Sequence, residues 1–158
     1  MTAEDEQDEA FREGMAALER GDLEAASAAG RRHVPLHGLM GLNLTELEDQ
    51  VAVATMELTN EVRGPATGSV HGGILATFAD VTSGFSLNGA YDLNAEMAVT
   101  TDIHIRYYRQ PRSGPLTAVA KLVHKGRRLL STECSVTDAD QRESIRSTAT
   151  YMLVPRRL

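Results

Sequence analysis

The chain is 158 residues long, 42 % hydrophobic and 4 % aromatic, with no tryptophan and a formal net charge of −6. That length makes one domain able to bury a real core. Scarce aromatics leave no stacking platform for nucleic acid bases, and the acidic balance argues against a general polyanion binder.

The single cysteine, Cys134, excludes a disulfide framework and points to a reducing compartment. The N-terminus is acidic where a signal peptide needs a basic start and an apolar run. No apolar stretch approaches the roughly 18–20 residues that cross a bilayer. The expectation is a soluble cytoplasmic protein with neither a nucleic acid nor a membrane partner.

Most of the acidic excess lies in the first thirty residues, and the remainder is close to neutral. Residues 1–34 read as an acidic helical extension. Ala10, Phe11, Met15 and Leu18 make a thin apolar stripe, Arg20-Gly21-Asp22 interrupts it, and Leu23 to Ala29 is alanine-rich. Helices this short are marginal alone, so they dock on the main domain, residues 35–158, or fray.

Pro35, Gly38 and Gly41 mark an irregular stretch from His33. Strand-like alternation begins at Leu39 to Leu44, Glu46 to Gln50 reads as a polar turn, and Val51 to Leu58 reads as the second arm of a hairpin. Asn60 to Ser69, with Gly64-Pro65 and Gly68, is a long loop.

Val70 to Asn88 is the stretch the chain is organised around. Ile74, Leu75, Phe78, Val81 and Phe85 recur at the steps of one helix face. The helix begins at Gly72-Gly73, where free backbone N–H groups approach a ligand without an intervening side chain. Among apolar neighbours sits one carboxylate, Asp80, and a buried carboxylate needs a partner or a purpose. A purely structural Asp80 would bond the hydroxyls of Thr77 or Ser83.

The rest of the chain is strands. Met97 to Tyr108 alternates, with Val99, Thr101, Ile103, Ile105 and Tyr107 on one face. Leu116 to His124, Arg128 to Thr137 and Glu143 to Val154 follow, joined by short turns that require antiparallel neighbours. One apolar helix and about six antiparallel strands make an α+β domain with the sheet wrapped around the helix.

Several candidates carry little. The five histidines show no metal-ligand spacing, so no metal site is expected, and Cys134 reads as a small core residue. Gly-x-Ser-x-Gly is absent, which argues against a serine nucleophile. Basic residues cluster at Arg106, Arg109 and Arg112 and on the turn Lys125, Gly126, Arg127 and Arg128.

His71-Gly72-Gly73 with an aspartate nine residues after the histidine, the strand Val99 to Tyr107 and the turn Lys125-Gly126-Arg127 together resemble the hotdog-fold acyl-CoA thioesterases of the PaaI-like type, in the 4-hydroxybenzoyl-CoA thioesterase superfamily. The resemblance spans roughly residues 36–154 and leaves out the N-terminal helices. It implies hydrolysis of an acyl- or aryl-acyl-CoA thioester without a metal or redox cofactor. By the same resemblance Gly72 supplies the N–H that polarises the carbonyl, Asp80 is general base or nucleophile, Thr100 holds the attacking water, and His71 flanks the site. Pro65 stands where many relatives have an asparagine facing the thioester; Asn60 or Thr67 are the nearby substitutes. Gly73 lies beside the substrate, and the turn Lys125 to Arg128 is favoured for the CoA phosphates.

Gly72 and Asp80 are eight residues apart, about 12 Å along one helix. A single carbonyl needs a donor and an attacking group each at about 3 Å. The spacing therefore predicts a homodimer that pairs Gly72 of one protomer with Asp80 of the other, and the resemblance implies that such dimers also assemble as a dimer of dimers. The alternative function is a non-catalytic acyl-CoA sensor on the same fold.

Overall fold

The computed structural model describes residues 2–66 and 68–156. Six antiparallel strands form one sheet: β1 (Asn43–Glu48), β2 (Val51–Met56), β3 (Glu96–Tyr107), β4 (Leu116–Lys125), β5 (Leu129–Thr137) and β6 (Glu143–Pro155). Their order is β1-β2-β4-β5-β6-β3, so β3 is an edge strand. Helix α4 (Gly72–Phe85), inserted after β2, lies across the sheet.

The sheet face beneath the helix carries many small residues among larger ones such as Met56, Leu116, Val136 and Ile145. Ala52, Ala54, Ala118, Ala120, Cys134, Ser147 and Ala149 are all buried. Leu75 and Phe78 of α4 fill the space above them and are fully buried, each worth about 1.5–3 kcal/mol relative to exposure. Ile74, Val81 and Phe85 complete the packing at the margin.

The N-terminal residues form α1 (Ala3–Glu19) and α2 (Leu23–His33). Thr2 and Asp5 cap α1 reciprocally, and the Asp22 carboxylate accepts the Ala25 N–H at 3.0 Å to start α2. The pair docks rather than frays. The Leu44 N–H donates to Ser27 Oγ at 2.8 Å, and the Arg31 guanidinium donates to the Leu42 carbonyl at 3.0 Å.

Three local expectations are corrected. Pro35–Leu39 is a short helix, α3, because Pro35 presets φ at the first helical position. Glu46 to Glu48 belong to β1, and the turn is only Asp49-Gln50, both at positive φ (46° and 64°). That two-residue turn matches the twist of the flanking strands even without glycine. Finally, a bulge between Thr100 and Asp102 breaks the alternation of β3. Thr100 therefore faces inward together with Ile103 and Ile105, whereas Met97 and Val99 are exposed. The loop before α4 carries a 3-10 turn (Asn60–Val62) and an antiparallel bridge from Arg63 to Val70. Among the described residues no helix is long and apolar enough to cross a membrane.

Candidate active site

The N-terminus of α4 is held from several sides. The His71 N–H donates to the Val62 carbonyl at 3.0 Å, and the Val70 N–H donates to Gln110 Oε1 at 3.0 Å. His71 caps the helix with its own ring, its Nδ1 accepting the Gly73 N–H at 3.0 Å. Gly73 is therefore committed to the cap. A Cβ there would lie 3.1 Å from the His71 ring, tighter than an ordinary contact, so the capping ring would have to shift.

Gly72 is different. A Cβ on it would meet only the Tyr107 ring, at an ordinary 3.6 Å, so no described residue demands glycine there. Its N–H has no acceptor among the described residues. It points out of the helix end, where the backbone dipoles favour negative charge.

Asp80, at mid-helix, is half-buried. Its partners are on the sheet, not on its own helix. Thr100 Oγ1 donates to Asp80 Oδ1 at 3.0 Å, and the Tyr151 hydroxyl donates to the same oxygen at 2.7 Å. Thr77 and Ser83 take no part; the Thr77 hydroxyl instead donates back to the Gly73 carbonyl at 2.9 Å. Oδ2 has no partner among the described residues. Strand pairing places Thr100 directly opposite Tyr151, which sets the two donors side by side.

Burial, reinforced by the carboxylate beside it, pushes the Tyr151 phenol well above its ordinary range, so it is a proton donor and not a base. Burial also pushes the Cys134 thiol up to about 12, which leaves it a packing residue. Among the described residues no three His, Cys, Asp or Glu side chains are grouped to hold a metal.

The remaining predicted residues are spread out. Pro65 is exposed in the loop before α4, and Thr67 lies outside the described residues. Lys125, Arg127 and Arg128 are exposed at the β4–β5 turn, with Gly126 partly covered between them. Leu129 follows that turn and pairs with Met152, which pairs with Val99, so the turn sits at the sheet end where β3 begins. Gly72 sits by Tyr107, where β3 ends, roughly 25 Å further along the strand. One protomer thus does not bring the basic turn and Gly72 together. A second basic group lies at the Gly72 end, where Arg109, Arg112 and Arg142 line a hollow of about 480 Å³ with Tyr108 and Gln110.

The N-terminal helices stand away from Asp80. They enclose an apolar cavity of about 160 Å³ with Leu42, Leu44 and Phe85, at the β1 edge of the sheet. Asp80 faces β6 and β3 at the other edge.

Comparison with known proteins gives consistent findings. The family model described as the thioesterase superfamily matches residues 67–145. A candidate esterase of Halobacterium salinarum is 34 % identical over 128 residues, 75 % of this chain and 83 % of the relative. A medium/long-chain acyl-CoA thioesterase of Salmonella typhimurium is 26 % identical, over 77 % of this chain and 86 % of its own. Among solved structures, a mutant Pseudomonas aeruginosa thioesterase superposes with a TM-score of 0.78 at 24 % identity, covering 85 % of this chain and 95 % of that one. A Streptococcus mutans protein bound to acetyl-CoA gives 0.64 at 24 % identity, covering 74 % and 91 %. These likenesses establish the hotdog fold.

Proposed function

The chain belongs to the thioesterase superfamily, and from that premise we propose that it hydrolyses acyl-CoA thioesters to the free acid and CoA, with Asp80 as general base. The observation that carries this reading is the carboxylate itself. Two donors hold Oδ1, and Oδ2 is left for chemistry. A module that only binds acyl-CoA has no use for an acid anchored in this way. The acyl-CoA class is supported by the Salmonella typhimurium relative and by the acetyl-CoA-bound neighbour.

Hydrolysis in this reading runs as follows. Asp80 Oδ2 takes a proton from water as the water oxygen bonds to the thioester carbon. The carbonyl oxygen becomes an oxyanion and accepts a hydrogen bond from the Gly72 N–H, a donor worth about 3–4 kcal/mol in such sites. Collapse re-forms the carbonyl and breaks the C–S bond, and the proton on Asp80 passes to the departing CoA thiolate. No metal or redox group enters these steps.

Asp80 and Gly72 of one chain cannot reach the same carbonyl, so the working unit is a dimer in which the partner's Gly72 faces Asp80. The edge strand β3, exposing Met97, Val99 and Tyr107, is the surface suited to pairing with a copy of itself. In that arrangement the basic turn of one protomer and the Arg109–Arg112 hollow of its partner fall at the same end of the seam, matching the anionic CoA head. A cytoplasmic location, where acyl-CoA and reduced thiols coexist, fits the lone buried cysteine.

The test is thiol release across a panel of acyl-CoAs, comparing wild type with Asp80→Ala. Wild type should turn over part of the panel, and Asp80→Ala should lose about 10²–10⁴ in kcat while keeping its melting temperature. A wild-type protein that binds acyl-CoA yet releases no thiol overturns hydrolysis and leaves a binding module.

A further inference from the structure

We infer that Tyr151 is a positioning residue for Asp80: from the floor of the sheet its hydroxyl locks one carboxylate oxygen and thereby aims the other at the reacting thioester. The inference rests on the thioesterase reading of Asp80 and adds a residue to it.

Tyr151 is only 3 % exposed and sits in β6 among Leu87, Leu122, Leu130, Ala149 and Leu153. That packing fixes the ring, and a buried phenol keeps its O–H only where a partner receives it. The hydroxyl lies 2.7 Å from Asp80 Oδ1 and 2.8 Å from the Asp80 main-chain oxygen. The side chain and backbone of one residue thus share the single proton of this hydroxyl, so the carboxylate oxygen stays within its reach.

Thr100 reaches the same Oδ1 at 3.0 Å, but the two donors are not equivalent. A threonine hydroxyl turns about one bond and can leave the carboxylate for a water molecule. The Tyr151 oxygen is fixed by its packed ring, and both acceptors its proton reaches belong to Asp80. When Thr100 is engaged with the attacking water, Tyr151 is the donor that remains. The bulge after Thr100 makes this geometry available, because it lets Thr100 face Asp80 beside Tyr151 while Ile103 and Ile105 still face the core.

The experiment is steady-state thiol release by Tyr151→Phe, alone and in the Asp80→Asn background, with 4-aminophenylalanine at position 151 as a donor-retaining variant. Tyr151→Phe should lower kcat about ten- to thirtyfold, the scale of one hydrogen bond to a charged group, with KM within about twofold because the phenol does not touch substrate. In the Asp80→Asn background the same change should have no further effect. The amino variant, a weaker donor, should recover part of the loss and stay several-fold below wild type in kcat. Leu153→Ala, which loosens the same packing without removing the hydroxyl, should lower the melting temperature and spare kcat.

Equal kcat for wild type and Tyr151→Phe overturns the inference and leaves the thioesterase reading standing. Equal impairment of the Phe and 4-aminophenylalanine proteins also overturns it, since the ring and not the donor would then matter. If the Phe variant does not fold, the amino variant carries the test alone: its weaker donor should cost several-fold in kcat at unchanged KM, and unchanged kcat overturns the inference. A wild type inactive on every thioester overturns the reading beneath it instead.

Discussion

Tyr107 lies across Gly72: its hydroxyl donates to the Gly72 carbonyl at 2.9 Å, and its ring comes no closer than 3.6 Å to where a Cβ on Gly72 would stand. The contact leaves room for a methyl group, whereas the same construction at Gly73 runs into the His71 ring at 3.1 Å. The two adjacent glycines are therefore not equivalent. A Cβ at Gly73 crowds the His71 cap, whereas among the described residues none would be crowded by a Cβ at Gly72.

This difference gives a paired prediction. Gly73→Ala should lose the cap and destabilise by about 0.5–2 kcal/mol, the usual range for a helix N-cap. Gly72→Ala should fold with an unchanged or slightly higher melting temperature, since alanine is the better helix former. If the Gly72 N–H meets a thioester, the added methyl group crowds the substrate and turnover falls at least tenfold. Thermal melts and thiol-release rates on both variants check this, and a fully active Gly72→Ala protein removes Gly72 from the site.

The parts of this molecule governed by local pattern were legible. Apolar residues at three- and four-residue steps give α4, and short polar turns between alternating runs give the antiparallel strands. The pairing of His71-Gly72-Gly73 with Asp80 singled out the helix. What escaped is set by tertiary contact. Val99, Thr101 and Ile103 alternate smoothly in sequence, so nothing there reveals the bulge that turns Thr100 toward Asp80. Tyr151 carries only the signature of an inward strand residue; its hydroxyl gains meaning from α4, 71 residues earlier. A structural Asp80 would have bonded Thr77 or Ser83 on its own helix, but the sheet supplies its partners, Thr100 and Tyr151. The turn reads three residues too long in sequence because Glu46 to Glu48 are as polar as Asp49-Gln50, and only the latter pair takes positive φ.

A second prediction concerns pH. Asp138 sits in the β5–β6 turn, 1 % exposed, and its carboxylate accepts the Asp140 and Arg142 N–H groups and the Arg142 guanidinium. Burial alone would raise its pKa; the hydrogen bonds and charge of Arg142 outweigh that and hold it below the usual carboxylate range. A folded-state pKa below the unfolded value contributes stability that is present above the unfolded pKa and fades as pH falls through the folded one. Asp138→Asn should lower the melting temperature at neutral pH. The gap to wild type should narrow as pH drops below about 4, where wild type loses the same contribution. Melting curves from pH 7 to pH 3 read this directly, and a constant gap across the range refutes it.

The last prediction separates a shared active site from a self-contained one. Proline at position 72 removes the N–H at the first helical position, the one place in a helix where proline is well tolerated. His71 already has the extended backbone that a following proline requires, at φ −63° and ψ 128°. Gly72→Pro and Asp80→Ala should each fold and each be nearly inactive. Unfolded, mixed and refolded together, they form heterodimers in which one site carries both lesions and the other carries neither. With equal amounts and random pairing, half the dimers are mixed and half of their sites are intact, so activity should return to about a quarter of wild type. A site built within one chain gives a different result, since every site in every dimer then carries a lesion and mixing restores nothing. Absence of recovery, with mixed dimers demonstrated by differential tags, would therefore place donor and base in the same protomer and refute the two-fold arrangement.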